Sequence, residues 1–176
     1  MKIKYLSFLI TVFALGGCSY LKDMHNDDRI KIDKENLSQL NGLYHNVTDS
    51  LPEYKNSLWY QIDFWNSPYL EHTENTFVQI EVKNNKKLSA KLFSDNKIIK
   101  EMIIHGKIKD GYFYKRRVFF VIPFFPLIFG YINDRTRIGV ANRSLIIDKS
   151  KHRFGFVIMA GGIDSKVGSR RYDKKK

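Results

Sequence analysis

Cysteine occurs once in the 176 residues, at Cys18. A single thiol forms no intrachain disulfide and no multi-cysteine zinc site, so the chain has to fold on its apolar core alone. Histidine is sparse as well. His25, His45, His72, His105 and His152 fall in no His-Glu-x-x-His spacing, so nothing points to a zinc hydrolase. No Gly-x-Ser-x-Gly elbow and no phosphate-cradling glycine loop occurs, which removes the commonest signatures of serine hydrolases and nucleotide enzymes. Asp63 and Glu81 could form a cross-strand carboxylate pair of the kind that cleaves glycosides, but nothing in the sequence sets their separation. No apolar run approaches the roughly 20 residues that span a bilayer as a helix. Acid is the scarcer charge: 18 Asp and Glu stand against 30 Lys and Arg. No enzyme and no cofactor is expected from these residues.

What the sequence does have begins at its first residue. Lys2 and Lys4 precede a run from Leu6 to Leu15 interrupted only by Ser7 and Thr11, and the small residues Gly16 and Gly17 follow. A positive start, a short apolar stretch and small residues make up a secretory signal peptide, which belongs outside the fold. Leu15-Gly16-Gly17-Cys18 resembles the lipobox of bacterial lipoproteins. That resemblance implies cleavage before Cys18, diacylglycerol on its thiol and a lipid anchor in a membrane, each buried CH2 contributing about 0.8 kcal/mol. By the same resemblance, Ser19 after the cysteine implies the outer membrane of the cell envelope. Residues 1–17 are therefore read as signal, and 18–37, polar and charged, as the lipidated cysteine and its tether.

Removing residues 1–17 leaves 159 residues, one domain's worth. With Lys2 and Lys4 gone, the formal charge falls from +12 to +10. Outside the cytoplasm such a chain meets anionic headgroups, lipopolysaccharide phosphates or acidic polysaccharide rather than nucleic acid. The end of the chain, Lys166 to Lys176, carries six bases and one acid. It reads as a solvated basic tail, of which 173–176 lie beyond the domain.

Between them, residues 38–172 read as β structure. Leu58, Tyr60, Ile62 and Phe64 alternate with polar or aromatic neighbours; so do Val78, Ile80 and Val82, then Leu88, Ala90 and Leu92 beyond Asn84-Asn85. Ile98, Met102, Ile104 and Ile108 share a parity. Asp110-Gly111 is a strong hairpin signal before the aromatic stretch Tyr112 to Val121. Asn133-Asp134, Ala141-Asn142-Arg143 and Lys149-Ser150-Lys151 look like later turns. A short helix is expected near Lys34 to Leu40. The pattern predicts an all-β domain of eight to ten short strands, as an antiparallel up-and-down barrel or a barrel-like sandwich.

The segment Val118 to Phe129 is apolar throughout and broken by Pro123 and Pro126. It reads as core strands around a bend, or as an exposed apolar loop at a barrel mouth. The region Leu40 to Tyr172 resembles a set of small bacterial lipoproteins through Leu40-Asn41-Gly42-Leu43-Tyr44, Gly106 to Phe113 and Ser144 to Asp148 with Phe154 to Ile158. That resemblance brings no activity with it. The chain also resembles lipocalin-type barrels more distantly: Gly42-Leu43-Tyr44 takes the place of their first-strand Gly-x-Trp, with tyrosine for tryptophan, and Arg170 or Arg171 that of a closing arginine. A barrel of this kind can hold one small ligand. The expected lining is Tyr60, Phe64, Phe113, Phe120, Phe124 and Phe125, around a lipid or other apolar molecule. The alternatives are an accessory lipoprotein that binds an envelope protein or polysaccharide, and an enzyme inhibitor; the basic charge disfavours lysozyme as a target.

Overall fold

A computed structural model describes residues 28–47, 56–63, 75–124, 128–157 and 160–175. Ten antiparallel strands form one sheet. They are β1 (Arg29–Ile30), β2 (Gly42–His45), β3 (Thr76–Asn84), β4 (Lys87–Ser94), β5 (Lys97–Lys109), β6 (Tyr112–Lys115), β7 (Val118–Phe124), β8 (Ile128–Ala141), β9 (Ser144–Val157) and β10 (Ala160–Asp173). The order across the sheet is β10-β9-β8-β6-β5-β4-β3-β2. The sheet curls until its ends meet: Tyr44 of β2 bridges Lys174, and the Lys175 N–H donates to the Leu43 carbonyl at 2.7 Å. The all-β, barrel-like architecture expected from the alternation is thus the one observed.

Local chemistry explains the meander. Asp95-Asn96, Asp110-Gly111 and Asn142-Arg143 take positive φ at both central positions, from 41° to 78°, which matches the right-handed twist of the strands they join. Gly106 lets β5 serve both halves of the sheet. Up to His105 the strand pairs with β4, and from Gly106 it pairs with β6. A Cβ on Gly106 would lie 2.3 Å from the Tyr114 carbonyl oxygen and 2.5 Å from the Phe113 ring.

The strands differ from expectation in length. Asn133-Asp134 and Lys149-Ser150-Lys151 are not turns; they lie inside β8 and β9, each 14 residues long. The segment Tyr112 to Val121 is two strands, and Arg116-Arg117 shifts the register along β8 between them. The basic tail is not solvated coil, since β10 pairs with β9 from Ala160 to Asp173.

Leu58 to Ile62 is not a strand but a helix, α1 (Leu58–Ile62), capped by Ser57, whose Oγ accepts from the Tyr60 N–H at 3.2 Å. Leu58, Trp59 and Ile62 are fully buried against the sheet's inner face, where strand-like alternation would have exposed Trp59. The chain docks earlier than the expected end of the tether at residue 37. Arg29 and Ile30 pair with Ala141 and Val140, Asp28 forms a two-pronged ion pair with Arg171 at 2.6 and 2.7 Å, and Ile32 and Leu37 are buried. The helix expected at Lys34 to Leu40 is a single 3-10 turn, Leu37–Leu40.

The described core lies between Ile32 and Tyr172. Tyr44, Val78, Ile80, Leu88, Leu92, Ile104, Phe113, Ile138, Ile147 and Tyr172 close around α1. The described residues between 28 and 175 therefore hold the core, the strands and their closing bridge. On the outer face, Arg137 and Asp148 form a buried ion pair at 2.7 Å, and the Arg137 guanidinium lies over the Tyr112 ring at 4.0 Å.

Candidate functional site

Cross-strand pairing fixes which side chains share the inner wall. Ile138 pairs with Ile147, and both belong to the core. Because side chains alternate along a strand, Thr136 with Lys149, Asp134 with Lys151 and Ile132 with Arg153 line the same face further along. Lys115, two residues beyond buried Phe113, joins them. The two polar stretches that looked like turns are therefore one polar belt across β8 and β9, just above the packed core.

The belt meets the last turn of α1, whose carbonyls lack helical partners. Lys115 Nζ donates to the Ile62 carbonyl, and Lys149 Nζ to the Gln61 carbonyl at 3.4 Å. Lys149 Nζ also lies 3.5 Å from Asp134 Oδ2. Cations at a helix C-terminus are favourable, so part of the belt serves the fold. Lys115, Lys149, Lys151 and Arg153 share this part of the inner wall with Asp63, Asp134 and Asp164, and Asp134 Oδ1 and Arg170 Nε are buried without a hydrogen-bond partner among the described residues.

Burial disfavours the charged form of these lysines. It pushes Lys115 down, against the pull of Asp134 and Asp63. It pushes Lys149 down too, opposed by Asp134 and reinforced by Lys115 and Arg153. Lys151 falls to about 8, through burial and then the neighbouring charges of Arg153 and Lys149. An anionic group in the belt would reverse each of these penalties.

Above the belt, β7 to β10 continue as a four-stranded tongue. Val121, Tyr131, Phe154 and Ile163 pair in one row on the outer face; Phe120 and Ile132 lie in a row with Arg153 and Asp164 on the inner face. Tyr131 stacks on Phe154 with centroids 6.0 Å apart. Further along the inner face, Ile122 pairs with Gly130, Gly130 with Gly155 and Gly155 with Gly162. A Cβ at Gly155 or Gly162 would meet nothing within 4 Å, so this row is a smooth floor beside Ile122.

Of the aromatic lining expected from the sequence, three side chains are described. Phe113 is fully buried in the core, Phe120 is exposed on the tongue, and Tyr60 is half-buried on α1. Phe124 ends β7 with its backbone opposite Ile128. Phe64, Phe125 and the lipid-attachment candidate Cys18 lie outside the described residues. Asp63 is buried beside the belt, while Glu81 is on β3 paired to Lys83 at 2.8 Å, so the two carboxylates form no couple. Arg170 faces inward, donating to Asn56 Oδ1 at 2.6 Å.

The belt residues escaped sequence reasoning because polar clusters read as turns. The signal that finds them is symmetry: Asp134 and Lys151 lie equally far from the Asn142-Arg143 hairpin. No protein-family model, no curated protein and no solved structure matches the chain.

Proposed function

We propose that this chain is a lipid-anchored protein of the bacterial cell envelope, held at the outer membrane by the reading of Ser19, that acts as a non-enzymatic binding module. Its anchor is Cys18 and its ligand is an amphiphile. The observation that carries this reading is the cluster of inward-facing cations in the belt beside the unsatisfied Asp134 Oδ1, placed directly below the apolar inner rows of the tongue. An anionic head would sit among Lys115, Lys149, Lys151 and Arg153. A hydroxyl on that head would satisfy Asp134 Oδ1, and the apolar part would lie along Ile132, Ile122 and the glycine row. A phosphate-bearing lipid, whose head would accept charge-assisted hydrogen bonds from these cations, fits this chemistry better than a neutral apolar molecule, which offers them no opposite charge.

The test is equilibrium titration of the chain from Ser19 onward with a short-chain lysophosphatidic acid below its micelle concentration. Binding is expected, and Lys149→Gln with Lys151→Gln should weaken it about tenfold or more, as loss of charge-assisted hydrogen bonds does. Equal binding of a neutral monoacylglycerol, or indifference to the double substitution, would sink the reading.

A second reading, an accessory lipoprotein that binds an envelope protein or polysaccharide, is favoured by a different observation. The described interior below the belt is filled by Trp59, Phe113, Tyr44 and Tyr172, which leaves the outer surface as the place of contact.

A further inference from the structure

Strand β10 ends the order across the sheet and pairs with β9 alone until the closing bridge at Lys174. Along the tongue its outer edge therefore has no partner strand among the described residues. Every residue from Gly161 to Val167 is exposed, on both faces of the strand. An open edge of this kind is a template for another strand, and proteins blunt such edges with proline, bulges or charge. β7, at the other edge of the tongue, carries Pro123. β10 has no proline, and its register with β9 runs from Ala160 to Asp173 without a bulge. The charges on its exposed stretch, Asp164 and Lys166, are of opposite sign.

That stretch is self-complementary. Gly162-Ile163-Asp164-Ser165-Lys166-Val167-Gly168 has a glycine at each end and a β-branched apolar residue inside each glycine, with an acid on one side of Ser165 and a base on the other. Antiparallel pairing of two such strands about Ser165 sets Asp164 opposite Lys166, Ile163 opposite Val167 and glycine opposite glycine. Each match occurs on both sides of the axis, as a two-fold interface requires.

We propose that β10 pairs edge to edge with β10 of a second copy of this chain, antiparallel and centred on Ser165, so that two four-stranded tongues join into one continuous sheet. The faces agree. Residues directly opposed across an antiparallel pair share a face. Ile163 and Val167, four residues apart on one strand, both lie on the outer face, where they are 78% and 44% exposed. Pairing gives each an apolar neighbour across the seam. Asp164 and Lys166 lie on the inner face. Within one chain Lys166 stands opposite Lys151, and Asp164 opposite Arg153. Like charges directly opposite are destabilising, and Asp164 of a second copy supplies Lys166 with the opposite charge across the other edge.

The charges also select the register. Sliding one strand by two residues, the smallest shift that keeps every side chain on its face, sets Lys166 against Lys166 or Asp164 against Asp164. One strand edge per copy is a smaller contact than the roughly 800 Å² a side of a standard interface, so association is reversible and set by concentration.

Sedimentation equilibrium of the full chain in a mild detergent tests this. Concentration-dependent dimerisation is expected. Asp164→Lys and Lys166→Asp should each raise the dimer dissociation constant about tenfold, because each sets like charges opposite at two symmetric places. An equimolar mixture of the two variants should dimerise as the natural chain does, since the basic edge of one then meets the acidic edge of the other. In a Cys18→Ser background, Ser165→Cys should yield a disulfide-linked dimer: directly opposed residues lie about 4.5–5.5 Å apart between Cα atoms, within disulfide range. Ile163→Cys, which faces Val167 of the second copy, should not. A chain that stays monomeric at every concentration would overturn the proposal and leave the edge to a strand of a different protein. A dimer indifferent to both charge reversals, a mixture no tighter than either variant alone, or equal crosslinking through positions 163 and 165 would overturn it as well.

Discussion

Lys151 shows how a single residue couples the belt to pH. Its amine is held near 8 by burial and by Arg153 and Lys149, against 10.5 in an unfolded chain. Between those values the unfolded state binds the proton and the folded state does not, so stability rises with pH across that window. Lys115 and Lys149 are shifted in the same direction. Tyr44, raised by burial from 10.0 to about 12, and Tyr172, raised further, act oppositely. Above pH 10 the unfolded tyrosines ionise while the buried ones stay neutral, and stability falls. The urea midpoint should therefore climb from pH 8 to about 10 and then decline, and Lys151→Met should flatten the climb. A midpoint that fell steadily from pH 8 would contradict the buried placement of the lysine. Nothing in the sequence around Lys151 announced that role. Lys149-Ser150-Lys151 has the composition of a turn, and only pairing to Asp134 and Thr136 turns it inward.

At the scale of elements, legibility followed burial on one side. β3 and β4 alternate cleanly because one face is core and the other solvent, and Val78, Ile80, Leu88 and Leu92 were visible as inner residues. The hairpin at Asp110-Gly111 was visible because its backbone needs those residue types. The helix α1 was not. Its five residues sit inside the curled sheet, where Leu58 and Trp59 are both buried, so neither a period of two nor one of 3.6 has room to show. The length of β8 to β10 was hidden because their polar rungs cross the inner wall instead of ending a strand. Gly106 marks the element whose geometry is most demanding. Gly106→Ala forces β5 and β6 apart at the Tyr114 carbonyl and should cost about 2–3 kcal/mol, as overpacking does. The chemical-denaturation midpoint measures it, and a loss under about 0.5 kcal/mol, the range of neutral surface changes, would show that the bend does not depend on the missing side chain.

The whole molecule has a direction. Its chain enters at the end marked by the Asn142-Arg143 turn, its core and α1 fill the middle, its cationic belt lies above them, and its apolar tongue projects beyond. That polarity suits the proposed tethered binding module, which would have its anchor at one end and its recognition surface at the other. The sequence carried openly the apolar segment Val118 to Phe129 and the lipobox-like Leu15 to Cys18 on which the proposed anchor rests. The belt that joins recognition to charge exists only once β8 and β9 are paired. One measurement tests the account most directly: native mass spectrometry of the protein extracted in mild detergent from the envelope of its own host. The prediction is a chain that begins at Cys18, carries covalent acyl mass, and releases one phosphate-bearing amphiphile per protein on activation. An unacylated chain, or an acylated chain that co-purifies with no such ligand, would contradict it.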